Sequence, residues 1–136
     1  MAPADDTSVG DDEILLRRIR PDWVEPAPGS PNGVAIKSIA FQNLDEGKQL
    51  MSSHLLTILQ NLGLLPESVL NGHPGYGLVQ YTAGYARAAG QVIVRDPRPG
   101  DPAHMHVVGP KSKGWRRRFA TGCIVLVCPS LPGGVE

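Results

Sequence analysis

Two histidines one residue apart are the side chains of this sequence best suited to chemistry. His104 and His106 belong to the stretch DPAHMHVVGPKSKGWRRRF, residues 101–119, and the segment AHMHVV is typical of a β-strand. Because side chains alternate along a strand, both imidazoles leave the same face and could hold one metal ion or transfer protons. A metal site needs a third ligand, and the residues of a suitable type are Asp101, Asp96, His54 and His73. The simpler interpretation is structural, with both rings half-buried and hydrogen-bonded to neighbours.

The histidine pair is also similar to part of the H-x-H-x-H run of histidine-triad nucleotide hydrolases. Val108 stands where that run carries its third histidine, so the setting of the nucleophile is missing and the activity of that family is not implied. The glycine-rich segments NGHPGYG and GYGLVQYTAG match neither a dinucleotide-binding fingerprint nor a P-loop. The sequence therefore predicts no cofactor. A small hydrolase or nucleotide-processing enzyme that uses His104 and His106 is one alternative function.

A run of basic residues follows the histidine pair. Five of the eight residues 111–118 are basic, namely Lys111, Lys113, Arg116, Arg117 and Arg118. At helical spacing, one face carries Lys113, Arg116 and Arg117, and another carries Trp115, Arg118 and Phe119. We expect the aromatic face to dock on a sheet and the basic face to lie in water, where it could contact nucleic-acid phosphates or a partner protein. A basic face that contacts only water is the more common case.

Length and charge limit the class of protein. The chain has 136 residues and no net charge, which predicts one domain without a general attraction for nucleic acid or anionic membranes. The charges are unevenly distributed, because residues 1–50 hold nine acids and five bases and residues 111–136 hold five bases and one acid. We expect residues 1–12 to form a mobile acidic tail, residues 13–129 a single domain and residues 130–136 a loose tail. The sequence has no apolar signal region and no apolar run long enough to span a membrane.

Both cysteines belong to the apolar segment CIVLVC. At strand spacing, Cys123 and Cys128 point to opposite faces and lie too far apart to form a disulfide. We interpret them as reduced core residues, which is typical of a cytoplasmic protein.

The spacing of apolar residues predicts the elements of the domain. EILLRRIR, VAIKSIAF, QVIVRDP and AHMHVVG are interpreted as strands, the last two as an antiparallel hairpin. A helical turn is the alternative for EILLRRIR. An amphipathic helix is predicted after a capping box at Asn43 and Glu46, with His54 on its apolar face and Gly63 at its end. Residues 77–90 fit either a helix or a strand, and a helix from about Leu78 is favoured.

The C-terminal region predicts a βαβ unit. The strand AHMHVVG is followed by the helical segment SKGWRRRFATG and then by CIVLVC, whose continuous apolar character is typical of a strand covered on both faces. Residues 103–128 would then form two parallel strands joined by a helical crossover. The predicted fold class is α+β, with a mixed sheet of about four or five strands covered by two or three helices.

Four segments of the chain resemble a group of small bacterial proteins without an assigned activity. They are LLRRIRPDW, SIAF, GLVQYTAGYARAAGQVIVRDP and DPAHMHVVG, and they span most of residues 13–128. The resemblance implies a bacterial origin and transfers no mechanism. Because no catalytic set is complete, the favoured function is a non-catalytic binding module, an accessory subunit that contacts a partner protein. The alternatives are nucleic-acid binding through residues 111–118 and the hydrolase described above, and the oligomeric state is left open.

Overall fold

The structure is a computed structural model that describes residues 4–30, 33–42 and 50–130. The strands of these residues are β1 (Ile14–Ile19), β2 (Val24–Pro26), β3 (Val34–Ile36), β4 (Leu50–Leu55), β5 (Gly77–Thr82), β6 (Val92–Arg95), β7 (His104–Val108) and β8 (Ile124–Val127). The helices are α1 (Leu56–Asn61), α2 (Ala83–Ala88) and α3 (Lys113–Gly122). Short 3₁₀ turns occupy Pro21–Trp23, Ser38–Phe41 and Pro66–Leu70.

Six strands of the described residues form one antiparallel sheet in the order β6-β7-β4-β1-β5-β8. β2 and β3 form a separate two-stranded sheet. The predicted α+β class is confirmed, and β6 and β7 form the predicted hairpin. The prediction of a mixed sheet of four or five strands is wrong, because two segments that we assigned to helices contribute strands to the middle of the sheet. The strand predicted over residues 34–41 is shorter, with β3 followed by a 3₁₀ turn.

β4 replaces the first part of the predicted amphipathic helix. It pairs with β1 on one side and with β7 on the other, so its side chains alternate between the two faces of the sheet. The helix begins only at Leu56, as α1. The two neighbouring strands stabilise the strand conformation here, because they form hydrogen bonds with its backbone and bury Met51 and Leu55. The predicted capping box at Asn43 and Glu46 lies outside the described residues.

β5 and α2 share the segment for which we favoured a single helix. β5 pairs with β1 along its whole length. The helix begins at Ala83, after Thr82, whose side chain accepts a hydrogen bond from the amide of Tyr85 and so caps α2. The prediction of a helix is therefore wrong for residues 78–82. There the backbone N–H and C=O groups form hydrogen bonds with the central strand β1.

One face of the sheet is covered by α3 and by the turn Ser38–Phe41, and this side holds the main core. Phe119 of α3 is fully buried, with its ring centroid 4.0 Å from that of Trp115 and 5.1 Å from that of Tyr81 on β5. Phe41 contacts Phe119 from the turn, at 5.6 Å between centroids. The aromatic face of α3 thus docks on the sheet, as its helical spacing predicts.

The opposite face is covered near β1 by a smaller cluster. Leu16 of β1 packs there with Leu59 of α1 and with Val69. His54 pairs with Leu16 across β1 and β4 and with His104 across β4 and β7, so these side chains leave the same side of the sheet. We call this side the histidine face.

β8 lies at the edge of the sheet beside β5, away from β7. β7 and β8 run in the same direction, but three strands separate them, so the predicted βαβ unit of adjacent parallel strands is wrong. The prediction of burial on both faces is also wrong, because Ile124 is 57% exposed and Leu126 41%. Cys128 is exposed as well, so it is not a core residue. An edge strand has an open side, which apolar composition alone does not reveal.

Residues that precede β1 pack against β6 and α2. Val9 is buried, and Asp5 accepts a hydrogen bond from the amide of Ile93 at 2.8 Å. Arg87 of α2 lies 3.1 Å from a carboxylate oxygen of Asp5 and 2.7 Å from one of Asp11. These contacts were not predicted from the acidic composition of residues 1–12. Of the predicted loose tail over residues 130–136, residue 130 alone belongs to the described part of the chain.

Candidate histidine–aspartate site

Asp96, His104 and His106 converge on the histidine face, and one ligand atom of each lies within 4.8 Å of the others. Oδ2 of Asp96 lies 3.0 Å from Nε2 of His106 and 3.2 Å from Nδ1 of His104. The two rings meet edge to face, with centroids 4.8 Å apart. The side chains of His104 and His106 are 6% and 13% exposed, whereas that of Asp96 is 39% exposed, so the imidazoles are shielded from water and the carboxylate is open to it. We call these three residues the ligand group.

The β6–β7 hairpin positions the ligand group. Asp96 directly follows β6, and its amide donates a hydrogen bond to the carbonyl of His104 at 3.0 Å. The loop between them closes with backbone hydrogen bonds between Arg98 and Asp101. It turns at Gly100, whose φ of 74° favours glycine over any residue with a side chain. One short hairpin therefore holds the carboxylate and both imidazoles.

A second histidine–aspartate pair adjoins the ligand group. His54 of β4 lies directly opposite His104, with ring centroids 5.6 Å apart and the rings edge to face. Nε2 of His54 lies 3.0 Å from Oδ2 of Asp101, and His54 is 2% exposed. The carboxylate of Asp101 therefore contacts His54, whereas its sequence position suggested a metal ligand beside His104 and His106.

The surroundings keep these groups in states that bind a metal ion or accept a proton. Burial lowers the pKa of His54 and of His106 below the ordinary histidine value, against the opposing effect of their aspartate partners. The hydrogen bond from Arg98 holds the pKa of Asp96 below its ordinary value. At neutral pH the site therefore combines neutral imidazoles of His54 and His106 with an ionised carboxylate.

Two imidazole nitrogens of the site are buried without a hydrogen-bond partner among the described residues. They are Nδ1 of His54 and Nδ1 of His106. Leaving such a nitrogen unpaired costs roughly 1–3 kcal/mol, so a buried one ordinarily has a partner. In each ring, Nε2 donates its proton to an aspartate, and the lone pair is then on Nδ1. Neither lone pair accepts a hydrogen bond from a described residue.

Arg98 opposes a cation at this site. Its guanidinium lies 2.9 Å from Oδ2 of Asp96, the oxygen that also contacts His104 and His106. The side chain of Arg98 is 54% exposed, so it can leave the carboxylate at small cost. The arrangement therefore supports two kinds of chemistry. One is the coordination of a divalent ion by the ligand group, and the other is proton transfer by histidines that aspartates orient.

The basic run lies on the other side of the sheet. α3 covers the main core, so Lys113, Arg117 and Arg118 are exposed away from the histidine face. Arg116 is partly buried, and Lys111 donates hydrogen bonds to two backbone carbonyls just before α3. The structure therefore does not bring the basic residues together with the histidines, and the two remain separate candidate sites.

Sequence reasoning found the histidine pair but not the residues that join it. Asp96 was one of several acids and histidines of suitable type, and His54 was assigned to a helix. The signal that could have found Asp96 is the hairpin, because an acid after one strand lies beside the start of the antiparallel partner. His54 could be found only from the register of β4 against β7, since it is far from His104 in the chain.

Known proteins offer no template for this site. No protein-family model, curated protein or solved structure matches the chain. Within the described ranges, every helix is too short or too polar to cross a lipid bilayer. The function must therefore be argued from the chemistry of the site itself.

Proposed function

We propose that the protein binds a divalent transition-metal ion, such as zinc, through Asp96, His104 and His106 and uses it to hydrolyse an ester. The observation that carries this proposal is the convergence of three ligand atoms on one hairpin. Two of their separations, 3.0 and 3.2 Å, are close to the roughly 3.3 Å between ligands of a tetrahedral zinc ion, and an ion bound there would replace the protons through which both imidazoles contact Asp96. Two imidazoles and one carboxylate also leave coordination positions open for water or substrate.

His54 is suited to be the general base beside that ion. Asp101 holds Nε2 of His54, as an aspartate does in a catalytic triad, and leaves Nδ1 to receive a proton. Asp96, His104 and His106 would hold the ion, which would supply Lewis-acid activation of water. His54 would receive the proton of the water whose oxygen forms the new bond to the ester centre. The same proton would then pass to the leaving oxygen as the ester bond breaks.

This proposal takes up one alternative from the sequence, a hydrolase that uses His104 and His106. It departs from the prediction that the protein has no cofactor. Its support over the other functions is that Asp96 and Asp101 join the histidines, whereas the sequence alone offered a pair without a third ligand. The non-catalytic accessory subunit and nucleic-acid binding through α3 stay predictions.

Metal analysis of protein freed of any affinity tag tests the first half of the proposal. Wild type purified without chelator should carry a near-stoichiometric transition ion. Asp96→Asn and His106→Ala should lose it. His73→Ala is the matched control, because His73 lies outside the ligand group and should leave the metal content unchanged. Reconstitution with cobalt(II) adds visible absorption bands that report the coordination geometry.

Hydrolysis of nitrophenyl esters tests the second half. His54→Ala should keep the metal and lose activity, because it removes the base and leaves the ligands. Asp101→Asn should keep the metal and lower kcat, since His54 loses the partner that orients it. If the wild type is purified without metal and its melting temperature does not respond to zinc or to chelator, the ligand group is only a hydrogen-bond network and the proposal is wrong.

A further inference from the structure

A pocket of about 290 Å³ opens beside His54, between β1 and β4. These strands pair at only two positions, both near the start of β1, and then diverge. Arg17 crosses the resulting gap and donates from Nη1 to the carbonyl of Ser52 at 2.6 Å. Among the described residues that line the pocket, three are arginines, two are histidines and none is acidic. Arg20 forms an ion pair with Asp22 at 2.9 Å, so Arg17 and Arg18 supply the net positive charge of the lining.

Arg17 is a buried cation with no carboxylate partner in the described part of the chain. It is 8% exposed, and besides the bond to Ser52 it donates from Nε to the carbonyl of Ala40 at 2.9 Å. Burial lowers the pKa of Arg17 to about 10, and the nearby charge of Arg18 acts in the same direction. Buried charges in proteins are normally paired, because neutral carbonyls solvate a guanidinium without neutralising it. Within residues 4–30, 33–42 and 50–130, Arg17 therefore has no anion to neutralise its charge.

Arg18 adds a second positive charge, and no carboxylate of the described residues forms an ion pair with it. It leaves the histidine face, where Nε donates to the carbonyl of Val69 at 2.6 Å, and it lines the same pocket. Burial lowers its pKa as well. The charge of Asp101 acts on Arg18, but that carboxylate pairs with His54. Arg17 and Arg18 leave opposite faces of β1, and both line the cavity in the gap beside β4 without a described anion of their own.

Trp23 completes one wall of the pocket. The guanidinium carbons of Arg17 and Arg20 lie 5.5 and 5.4 Å from the centroid of its ring. The ring stabilises these cations and shields Arg17 from water. The indole would therefore respond to any anion that binds beside the arginines.

From these observations we propose that the pocket binds a phosphate group, held by Arg17 and Arg18. Phosphate is favoured over a single carboxylate because both Arg17 and Arg18 line the cavity and a phosphate carries up to about two charges. The role of this group rests on the proposed function. His54 lines the same pocket, so a phosphate ester bound there lies beside the proposed general base. The substrate class that follows is a small phosphate ester.

Titration with inorganic phosphate at constant ionic strength tests the binding. The chain has two tryptophans, and both pack in or against the main core, so the variant Trp23→Phe is needed to assign a fluorescence change to Trp23. We expect a saturable change in wild type and none in Trp23→Phe. Arg18→Met should weaken the binding by about tenfold or more, as expected for the loss of a charge-assisted contact. Arg117→Met, an exposed arginine on α3, should bind like wild type.

Further variants decide what the arginines bind. Arg17→Met removes contacts that join β1 to β4 and so risks misfolding, which is why Arg18→Met carries the test.

Acetate that binds as tightly as phosphate would overturn the choice of phosphate. The variant Asp45→Asn/Glu46→Gln/Glu136→Gln neutralises the acids outside the described residues. If phosphate binds to this variant and not to wild type, the proposal of a phosphate site is wrong. In that case the arginines already pair with the chain's own carboxylates.

The two proposals fail independently. Asp96→Asn should lack the metal and still bind phosphate, because the carboxylate is not part of the pocket. A wild type that holds metal but shows no saturable phosphate binding refutes the phosphate pocket alone. A wild type that binds phosphate but holds no metal refutes the proposed metal site alone.

Discussion

His54 and His104 face each other across β4 and β7, with their rings edge to face and 5.6 Å between centroids. This contact joins two histidine–aspartate pairs, because His54 contacts Asp101 and His104 contacts Asp96. Each pair alone is an ordinary hydrogen-bonded contact. Together with His106 they gather three imidazoles and two carboxylates on one face of the sheet, so the site depends on the register of β4 against β7.

Removal of the positive charge of Arg98 should strengthen metal binding. Its guanidinium lies on the oxygen of Asp96 that an ion would use, so Arg98→Met removes a repelling charge and a competitor. We expect roughly tenfold tighter zinc binding, about 1.4 kcal/mol, for one partly screened charge at this range. Competition with a zinc-binding dye measures the affinity. Arg95→Met, an exposed neighbour on the other face, is the control. A lower melting temperature with no gain in affinity would mean that Arg98 and Asp96 only hold the hairpin.

Truncation in β8 should cost much less than truncation in β5. Leu126 is 41% exposed on the edge strand, so Leu126→Ala should lower the free energy of unfolding by less than about 1 kcal/mol. Leu78 is fully buried, and Leu78→Ala should cost roughly 2–5 kcal/mol. Urea unfolding followed by circular dichroism measures both. Equal losses would indicate that another surface, such as a second copy of the chain, covers the edge.

The two faces of α3 should respond in opposite ways to substitution. Trp115 is buried and stacks on Phe119, so Trp115→Ala should destabilise the protein by roughly 3–5 kcal/mol. Lys113→Glu and Arg117→Glu change exposed charges and should stay within about 0.5 kcal/mol each. If α3 binds nucleic acid, the double Glu variant loses salt-dependent retention on heparin while its unfolding is unchanged. If wild type is not retained on heparin at low salt, the basic residues 111–118 form a surface that contacts only water.

Arg87 should hold the segment before β1 in place. It contacts the carboxylates of Asp5 and Asp11, and it donates to the carbonyl of Asp6 at 3.0 Å. Arg87→Met should therefore lower the stability by about 1–2 kcal/mol, discounted for partial exposure, and the loss should shrink at high salt. Limited proteolysis followed by mass spectrometry should show faster cleavage within residues 1–12. Unchanged cleavage would mean that the buried Val9 is sufficient to hold the segment.

Tyr81 should make the protein less stable at alkaline pH. Burial raises the pKa of Tyr81 to about 12, while its hydroxyl lies 2.6 Å from that of Ser53. The unfolded chain loses this proton from about pH 10, whereas the folded chain keeps it until about pH 12, so stability falls across that window. Tyr81→Phe should remove up to about 2–3 kcal/mol of that fall. Unfolding of both proteins between pH 9 and 11.5 measures the difference, and parallel pH profiles would contradict the assignment.

Local patterns determined those elements whose signal lies within a few residues. The β6–β7 hairpin and α3 follow from two strand-like segments around turn residues and from the spacing of Trp115 and Phe119. For β1, a strand was the first interpretation and a helical turn the second. β4 and β5 were misassigned because their apolar residues fit both a helix and a strand. The choice between the two was made by β1, which pairs with both and supplies hydrogen bonds and burial that propensity does not contain.

The same division holds for the site. The sequence alone determined that His104 and His106 share a face, since alternation along a strand is a local property. Only the tertiary structure decided that Asp96, His54 and Asp101 join them, and that the basic run lies on the opposite side of the sheet. Strand order and register follow from burying one core with residues from the whole chain, so contacts between distant residues cannot be derived from the patterns around each of them.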